Sequence, residues 1–578
     1  MNDIRRTILW VVFGFSMVLL WDQWQLHNGR NATFFPSPAS QQSAPSNAAV
    51  APAASDNAVP AGAPLPSAAS LPGALTGAGG TAIAAPGVPK ERFDVVTDVF
   101  KLTFDTEGGS LVRAELLKYS DTADKSKNFV LLDDTKDRVY LAQTGVVSGA
   151  GGGAFPTHKT VMVPSGPRAL AEGENTLVLE FASPEVGGVK VVKTYTLRRG
   201  AYDIAVKHTL TNTSNAAVSP QLYMQLVRDG NPPVGESAFY STFTGPAVYT
   251  EAKKYQKVDF ADIKKKSADF EKSSTNGYVA MVQHYFASAW VLPDGVQRAI
   301  SMDAVDIGST LGDCCYRATM IAPLDPIAPG ATVAVDAKLF VGPQEEKLLE
   351  ALSPGLELVK DYGWLTPLAK PLYWLLDKLN SVLNNWGWSI VALVLLLKIA
   401  FYWLNAKAYA SMAKMKAVNP RIMEMRERLK DNPQQMQQEM MRIYREEKVN
   451  PLGGCFPIMV QIPVFIALYW VLLSTVEMRN APWALWIHDL ATPDPYYILP
   501  LIMTLTTLVQ TALNPAPPDP LQAKLMWFMP LAFSVMFFFF PSGLVLYWIT
   551  NNVLSIAQQW IINTRMGVPP QFNLPKFR

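Results

Sequence analysis

Long apolar runs and polar stretches alternate along this chain, and the apolar runs crowd into its last third. The run from Asn384 to Tyr409 reads NNWGWSIVALVLLLKIAFYWLNAKAY and is almost wholly apolar between Trp386 and Leu404. It predicts a membrane-crossing helix over 384–404, long enough for a hydrocarbon core of about 30 Å. Lys398 interrupts it. At about 1.5 Å per residue this lysine lies roughly 15 Å past Trp388, near mid-membrane. A lone ammonium at that depth costs on the order of 3 kcal/mol. Either it snorkels toward the interface, or it is the fixed charge of a polar, water-filled cavity.

Further apolar runs predict spans over 453–475, 496–513, 525–540 and 544–563, and Thr7–Trp21 behind Arg5 and Arg6 predicts an anchor over 1–24. No small-residue cleavage site follows that anchor, and basic residues gather in the loops that remain inside. The count is six spans with both termini cytoplasmic and a tail over 564–578. The spans at 496–513 and 525–540 are short, which favours local bilayer thinning. The last span carries Asn551, Asn552, Ser555, Gln558 and Gln559, and the third carries Gln461.

Outside the spans the pattern changes three times. Residues 25–90 are rich in Ala, Pro, Ser and Gly and predict a disordered linker. Residues 91–342 show period-two alternation, with Tyr202, Ile204 and Val206 against Asp203, Ala205 and Lys207, and predict an external β-sandwich. Residues 353–380 place leucines at helical spacing and predict an amphipathic helix on the outer membrane face, bent at Pro367 and Pro371. Residues 405–452 predict a cytoplasmic two-helix hairpin turning at Asp431-Asn432-Pro433. Its basic residues, among them Lys414, Lys416, Arg426 and Arg428, outnumber its acids, and Met412, Met415, Met423 and Met436 offer an adaptable apolar surface.

Composition narrows the chemistry. The 578 residues carry a net charge of +2, which argues neither for nor against a nucleic-acid partner. The three cysteines include the adjacent Cys314 and Cys315, for which no disulfide is expected, and Cys455, expected as a small packing residue. His158, His208 and His284 fit no metal-ligand spacing. The chain lacks a phosphate-binding Gly-rich loop, a nucleophile–histidine pair and paired intramembrane carboxylates. Covalent catalysis, metals and cofactors are therefore not expected.

Three stretches carry a resemblance. NPLGGCFPIMVQIPVFIALYW (Asn450–Trp470), APWALWIHDLATPDPYYILP (Ala481–Pro500) and FPSGLVLYWITNN (Phe540–Asn552) strongly resemble the YidC-type membrane protein insertases of Gram-negative bacteria, within the YidC/Oxa/Alb family. AKAYASMAKMKAVNPRI (Ala406–Ile422) looks like the start of that family's cytoplasmic hairpin. The resemblance implies a polytopic α-helical membrane protein with a five-helix insertase core and an external all-β supersandwich. It implies a groove open to cytoplasm and lipid, with Lys398 at the place of a central basic residue that is often arginine. Lysine keeps the charge but loses the bidentate fork. Gln461, Asn551, Asn552 and Ser555 would line that groove, and Ile462, Pro463, Tyr547 and Trp548 would form an apolar slide beside it. Implied partners are nascent membrane proteins, the Sec translocon, the ribosome and membrane lipids, with no direct nucleic-acid substrate. A solute transporter or channel with an anion site at Lys398 is the alternative, and a passive scaffold using the outer domain is a third reading.

Overall fold

The computed structural model describes residues 89–122, 124–148, 154–233, 242–306, 311, 314–429, 432–447, 456–514, 520–567 and 572. The anchor expected over 1–24, nearly all of the linker expected over 25–90, the Lys416 side chain, Cys455 and most of the tail expected over 564–578 lie outside the described residues. The chain divides into two compact units, with a boundary between Lys360 and Asp361.

Two nine-stranded sheets build the first unit. In one of them Thr176–Ala182, Val189–Arg198 and Asp203–Asn212 alternate buried and exposed positions, as a half-covered sheet should. Ile204 and Val206 turn inward opposite Leu339 and Ala337. By contrast Pro220–Arg228, Tyr278–Gln283 and Phe286–Val291 are buried at every position, because chain covers both faces. On one such face Val112, Val139, Leu141, Val227 and Cys315 form a small core with Val305, Leu311 and Cys314. On another, Gly355 closes over the stacked Tyr249 and Tyr278 rings at a φ of 81°. A Cβ there would meet the Tyr249 ring at 2.4 Å, so only glycine fits. Cys314 and Cys315 are adjacent across a cis peptide bond, with their Cα atoms 3.0 Å apart.

Polar side chains tie the two sheets together. Tyr140 Oη donates to Met281 O at 3.1 Å, and Trp290 Nε1 donates to Gln225 O at 3.2 Å. Lys193, fully buried, donates through Nζ to Gly108 O at 2.6 Å and Thr144 O at 2.7 Å. His208 Nε2 meets Thr144 Oγ1 at 2.9 Å, and His158 Nδ1 meets Tyr223 Oη at 2.6 Å. Burial pushes both imidazoles down to about 3, so they are neutral core residues.

The second unit is helical. Its helices are α1 (Thr366–Leu383), α2 (Trp386–Ala400), α3 (Tyr402–Arg428), α4 (Pro433–Glu446), α5 (Phe456–Ser474), α6 (Ile498–Leu513), α7 (Pro520–Met536) and α8 (Ser542–Arg565). α1 starts at Thr366 rather than at 353, because Gly355 in a left-handed turn and a 3₁₀ turn over Leu356–Val359 come first. Pro367 falls in its first turn, where a missing N–H costs nothing, so it starts the helix instead of bending it. α1 buries Ala369, Leu372, Tyr373 and Leu376 and leaves Trp374 exposed.

The continuous helix expected over 384–404 is broken. α2 ends at Ala400, and α3 departs at 68° across Phe401. Among the described residues no single helix is long and apolar enough to cross a membrane, while α2 and α3 together pass that test as a bent pair. Lys398 therefore occupies the last turn of α2, where unpaired carbonyl ends favour a cation. α3 and α4 form a hairpin packed through Val418, Ile422, Met425 and Ile443. Met423 is exposed as expected, but Met415 and Met436 join the hairpin's core. Arg421 clamps the two helices through Glu447 at 2.7 Å and Glu446 at 3.4 Å.

One end of this bundle is closed by the chain between α5 and α6. Asn385 caps α2 through Trp388 N at 3.0 Å and donates to Trp483 O at 3.1 Å. Gly387 sits against Trp483, whose ring would lie 2.2 Å from any Cβ. Asp494, 1% exposed, accepts from Trp486 Nε1 and Tyr496 N at 3.0 Å each and from Leu499 N at 2.7 Å, which caps α6. The start of α8 is pinned to the same loop, with Ser542 N donating to Thr492 O at 2.8 Å and Gly543 N to Leu490 O at 2.9 Å.

Two outcomes test this packing. Asp494→Ala strands three donors and should cost about 2–4 kcal/mol in the helical unit, read as a lower melting transition of the purified protein; an unchanged transition contradicts the hub. Lys193 gives a pH signature. Burial holds it at about 7 against an ordinary 10.5, so between these values the unfolded chain binds more protons. Its contribution is fully present above 10.5 and is lost as pH falls to about 7, with a slope of at most on the order of 1 kcal/mol per pH unit. Calorimetry of the β unit's transition in the full-length protein between pH 7 and 10 should show this rise, and Lys193→Met should flatten it. Parallel wild-type and variant curves would contradict the assignment.

Candidate functional site

Polar residues on α8 fall into two stripes set by the helical period. Tyr547, Asn551, Ser555 and Gln558 lie on one side, and Asn552 and Gln559 on the next. The first stripe faces Lys398. Lys398 Nζ donates to Ser555 Oγ at 2.7 Å, and Ser555 Oγ donates onward to Asn551 O at 2.6 Å. A hydroxyl offers one proton, and Ser555 gives it to Asn551 O, so Ser555 meets Lys398 as an acceptor.

Lys398 is 8% exposed and has no carboxylate within ion-pair distance among the described residues. An ammonium has three donors, and Ser555 takes one. The remaining two have no protein partner among the described residues. Beside them lies a cavity of about 20 Å³, lined by Val394, Leu397, Lys398 and Phe401 of the α2–α3 joint, Asn405 of α3, Gln461 and Val464 of α5, and Tyr547 and Asn551 of α8. That volume accommodates about one water. The side-chain amides of Gln461 and Asn551 make no hydrogen bond within the described residues. A buried cation and two unpaired amides thus converge on one small polar space. Such a space favours a guest rich in acceptors: a carboxylate, a backbone carbonyl or water.

The remaining expected residues separate. Asn552 turns to α6, donating through Nδ2 to Thr507 Oγ1 at 2.9 Å and Thr506 Oγ1 at 3.3 Å, because a one-residue step rotates it about 100° from Asn551. Tyr547 is buried and lines the cavity instead of an outer slide. Trp548 packs among Phe465 and Phe537, with ring centroids 4.5 Å away in each case. Ile462 alone of that set is exposed, at 48%, with Pro463 half-buried beside it. Lys414 and Arg428 are exposed on the hairpin, Arg426 is half-buried, and none of them lines the cavity. Asn405 is absent from the residues expected at the site; it stands one turn after Phe401 on α3, a polar position at helical spacing from the break. Asn405 Nδ2 donates to Gln558 Oε1 at 3.3 Å, with both residues buried. Among the described residues no three His, Cys, Asp or Glu side chains gather as metal ligands.

Comparison with known proteins covers both units. The family pattern described as YidC periplasmic domain matches residues 92–375, and that described as 60Kd inner membrane protein matches residues 378–568. A protein of Cupriavidus metallidurans named membrane protein insertase YidC is 53% identical over 570 residues, covering 98% of each chain. Its namesake from Ralstonia nicotianae is 52% identical over 572 residues, again covering 98% of each. A crystal structure of an active YidC insertase with its first transmembrane domain resolved is similar at 18% identity, covering 81% of this chain and 92% of that one, with a TM-score of 0.37. With its two halves matched in order and relatives about half identical along nearly its whole length, the chain belongs to the YidC family of membrane protein insertases.

Proposed function

We propose that this protein inserts newly made proteins into the bacterial inner membrane by holding a short polar, often acidic segment at Lys398 while the adjoining apolar span passes into lipid. The observation that carries this reading is a buried ammonium beside a polar cavity, with one hydrogen-bond partner among the described residues. Leaving a buried charge unpaired is costly, so an incoming carboxylate or carbonyl recovers energy that the resting site forgoes. Lipid partitioning of the apolar span supplies the main driving force, at about 25 cal/mol per Å². The membrane potential adds about 2.3 kcal/mol per 100 mV for each acidic charge moved outward.

Several features support a membrane placement for the helical unit. Leu395, Leu396 and Ile399 on α2 and Leu501 and Leu505 on α6 leave large apolar side chains exposed. α2 and α6 have 15 and 16 residues, about 22–24 Å of helix, which suits a locally thinned bilayer. In this reading the β unit is periplasmic, six spans cross the membrane with both termini in the cytoplasm, and the hairpin's exposed Lys414 and Arg428 meet the ribosome or nascent chain. The Sec translocon is a further partner for substrates with large external domains.

The test uses purified protein in liposomes and a single-span substrate with an acidic external tail. Protease protection of the tail should be well above that in empty vesicles with wild type. Lys398→Ala should lower it about tenfold, the factor for losing about 1.4 kcal/mol, while Lys398→Arg retains most of it. Protection equal in wild type and Lys398→Ala would remove the charge from the mechanism, and none with wild type would remove independent insertion.

A further inference from the structure

The cavity at Lys398, about 20 Å³, has room for about one water and not for a segment of polypeptide. If insertion runs through it, one wall must move, so the inference here rests on the function proposed above. The walls differ in how they are held. α8 is fixed at its start by Ser542 and Gly543 on the loop carbonyls and at mid-length by Asn552 on Thr506 and Thr507. α5 is packed through Phe465 against Tyr547 and Trp548, with centroids at 5.7 and 4.5 Å. α3 instead leaves α2 at the 68° break on Phe401, itself a cavity residue, and a break in the helical ladder is where a hinge is cheapest.

Across that hinge, α3 is fastened to α8 by Asn405 Nδ2 donating to Gln558 Oε1 at 3.3 Å, one turn beyond Phe401. Asn405 also lines the cavity, so the residue that makes the fastening borders the space to be opened. The bond joins neutral amides and is longer than the usual 2.9–3.0 Å, and both amides are 6–8% exposed. Amides are the groups for which an extended backbone, with its own N–H and C=O at each residue, competes directly. We propose that the Asn405–Gln558 pair is a catch that sets how readily the Lys398 cavity opens on its α3 side, and that a polar segment of incoming chain releases it by taking over both amides. Asn405 and Gln558 are positioning residues in this scheme; Lys398 remains the group that meets the guest.

The experiment reads opening without any substrate. Full-length protein with Cys314, Cys315 and Cys455 replaced by serine receives a single cysteine at Gln461 and is placed in lipid nanodiscs. The labelling rate by a small polar maleimide is then measured for the parent, Asn405→Leu, Gln558→Leu and the double variant. Each single change should raise the rate about five-fold, the factor that corresponds to about 1 kcal/mol for one hydrogen bond. The double change should raise it no further, because the same bond is already broken. Exchanging the two side chains, Asn405→Gln with Gln558→Asn, should bring the rate back toward the parent. Unchanged rates in the single variants, effects that multiply in the double, or no rescue by the exchange would each overturn the catch. Because labelling needs no insertion, a failed insertion assay would leave this result standing, and a failed labelling result would leave insertion at Lys398 untouched.

Discussion

A buried lysine with no carboxylate in ion-pair distance among the described residues is the constraint from which the helical unit follows. Lys398 is nearly fully buried and holds one protein partner among the described residues, Ser555, whose own proton goes to Asn551 O. Such a group is tolerated only where the backbone and the cavity compensate it. α2 ends two residues later, which places the lysine beside free carbonyl ends, and polar side chains of three neighbouring helices border the same space. The rest of the bundle keeps these walls in register: the Asp494 hub caps α6, and the loop carbonyls of Leu490 and Thr492 hold the start of α8.

The chain buries a second lysine, and its partners differ from those of Lys398. Lys193 lies between the two sheets with Gly108 O and Thr144 O at 2.6 and 2.7 Å, inside a packed interior of aromatic and histidine side chains. Two of its donors end on fixed backbone carbonyls, which ties the sandwich together. Lys398 ends on one hydroxyl and a small polar cavity, which leaves donors for a guest. Burial and residue type are the same; the partners decide the role.

The sequence made the broad architecture and the central residue legible. Period-two alternation at Ile204 and Val206 marks a half-covered strand, and the isolated Lys398 in an apolar run stands out in the sequence and is buried beside a small polar cavity in the structure. Strands such as Pro220–Arg228 carry no alternation because both faces are covered, which only the tertiary fold can supply. The break at Phe401 is not legible either, since the stretch KIAFYW holds neither Pro nor Gly. Asn552 bonds Thr506 and Thr507, and Tyr547 lines the cavity, because a helix turns each residue by about 100° from the last. Reading α8 as stripes would have joined Tyr547 to Asn551, Ser555 and Gln558, and set Asn552 with Gln559.

The account stands or falls on which part of a substrate meets the Lys398 cavity. A photo-crosslinking side chain placed at Gln461, inside the cavity, and in a second variant at Ile462, exposed beside it, would be illuminated with an insertion intermediate stalled on the ribosome. The account predicts that position 461 captures the polar tail of the substrate and position 462 its apolar span. Capture of the apolar span at 461, with the tail reaching neither position, would contradict it.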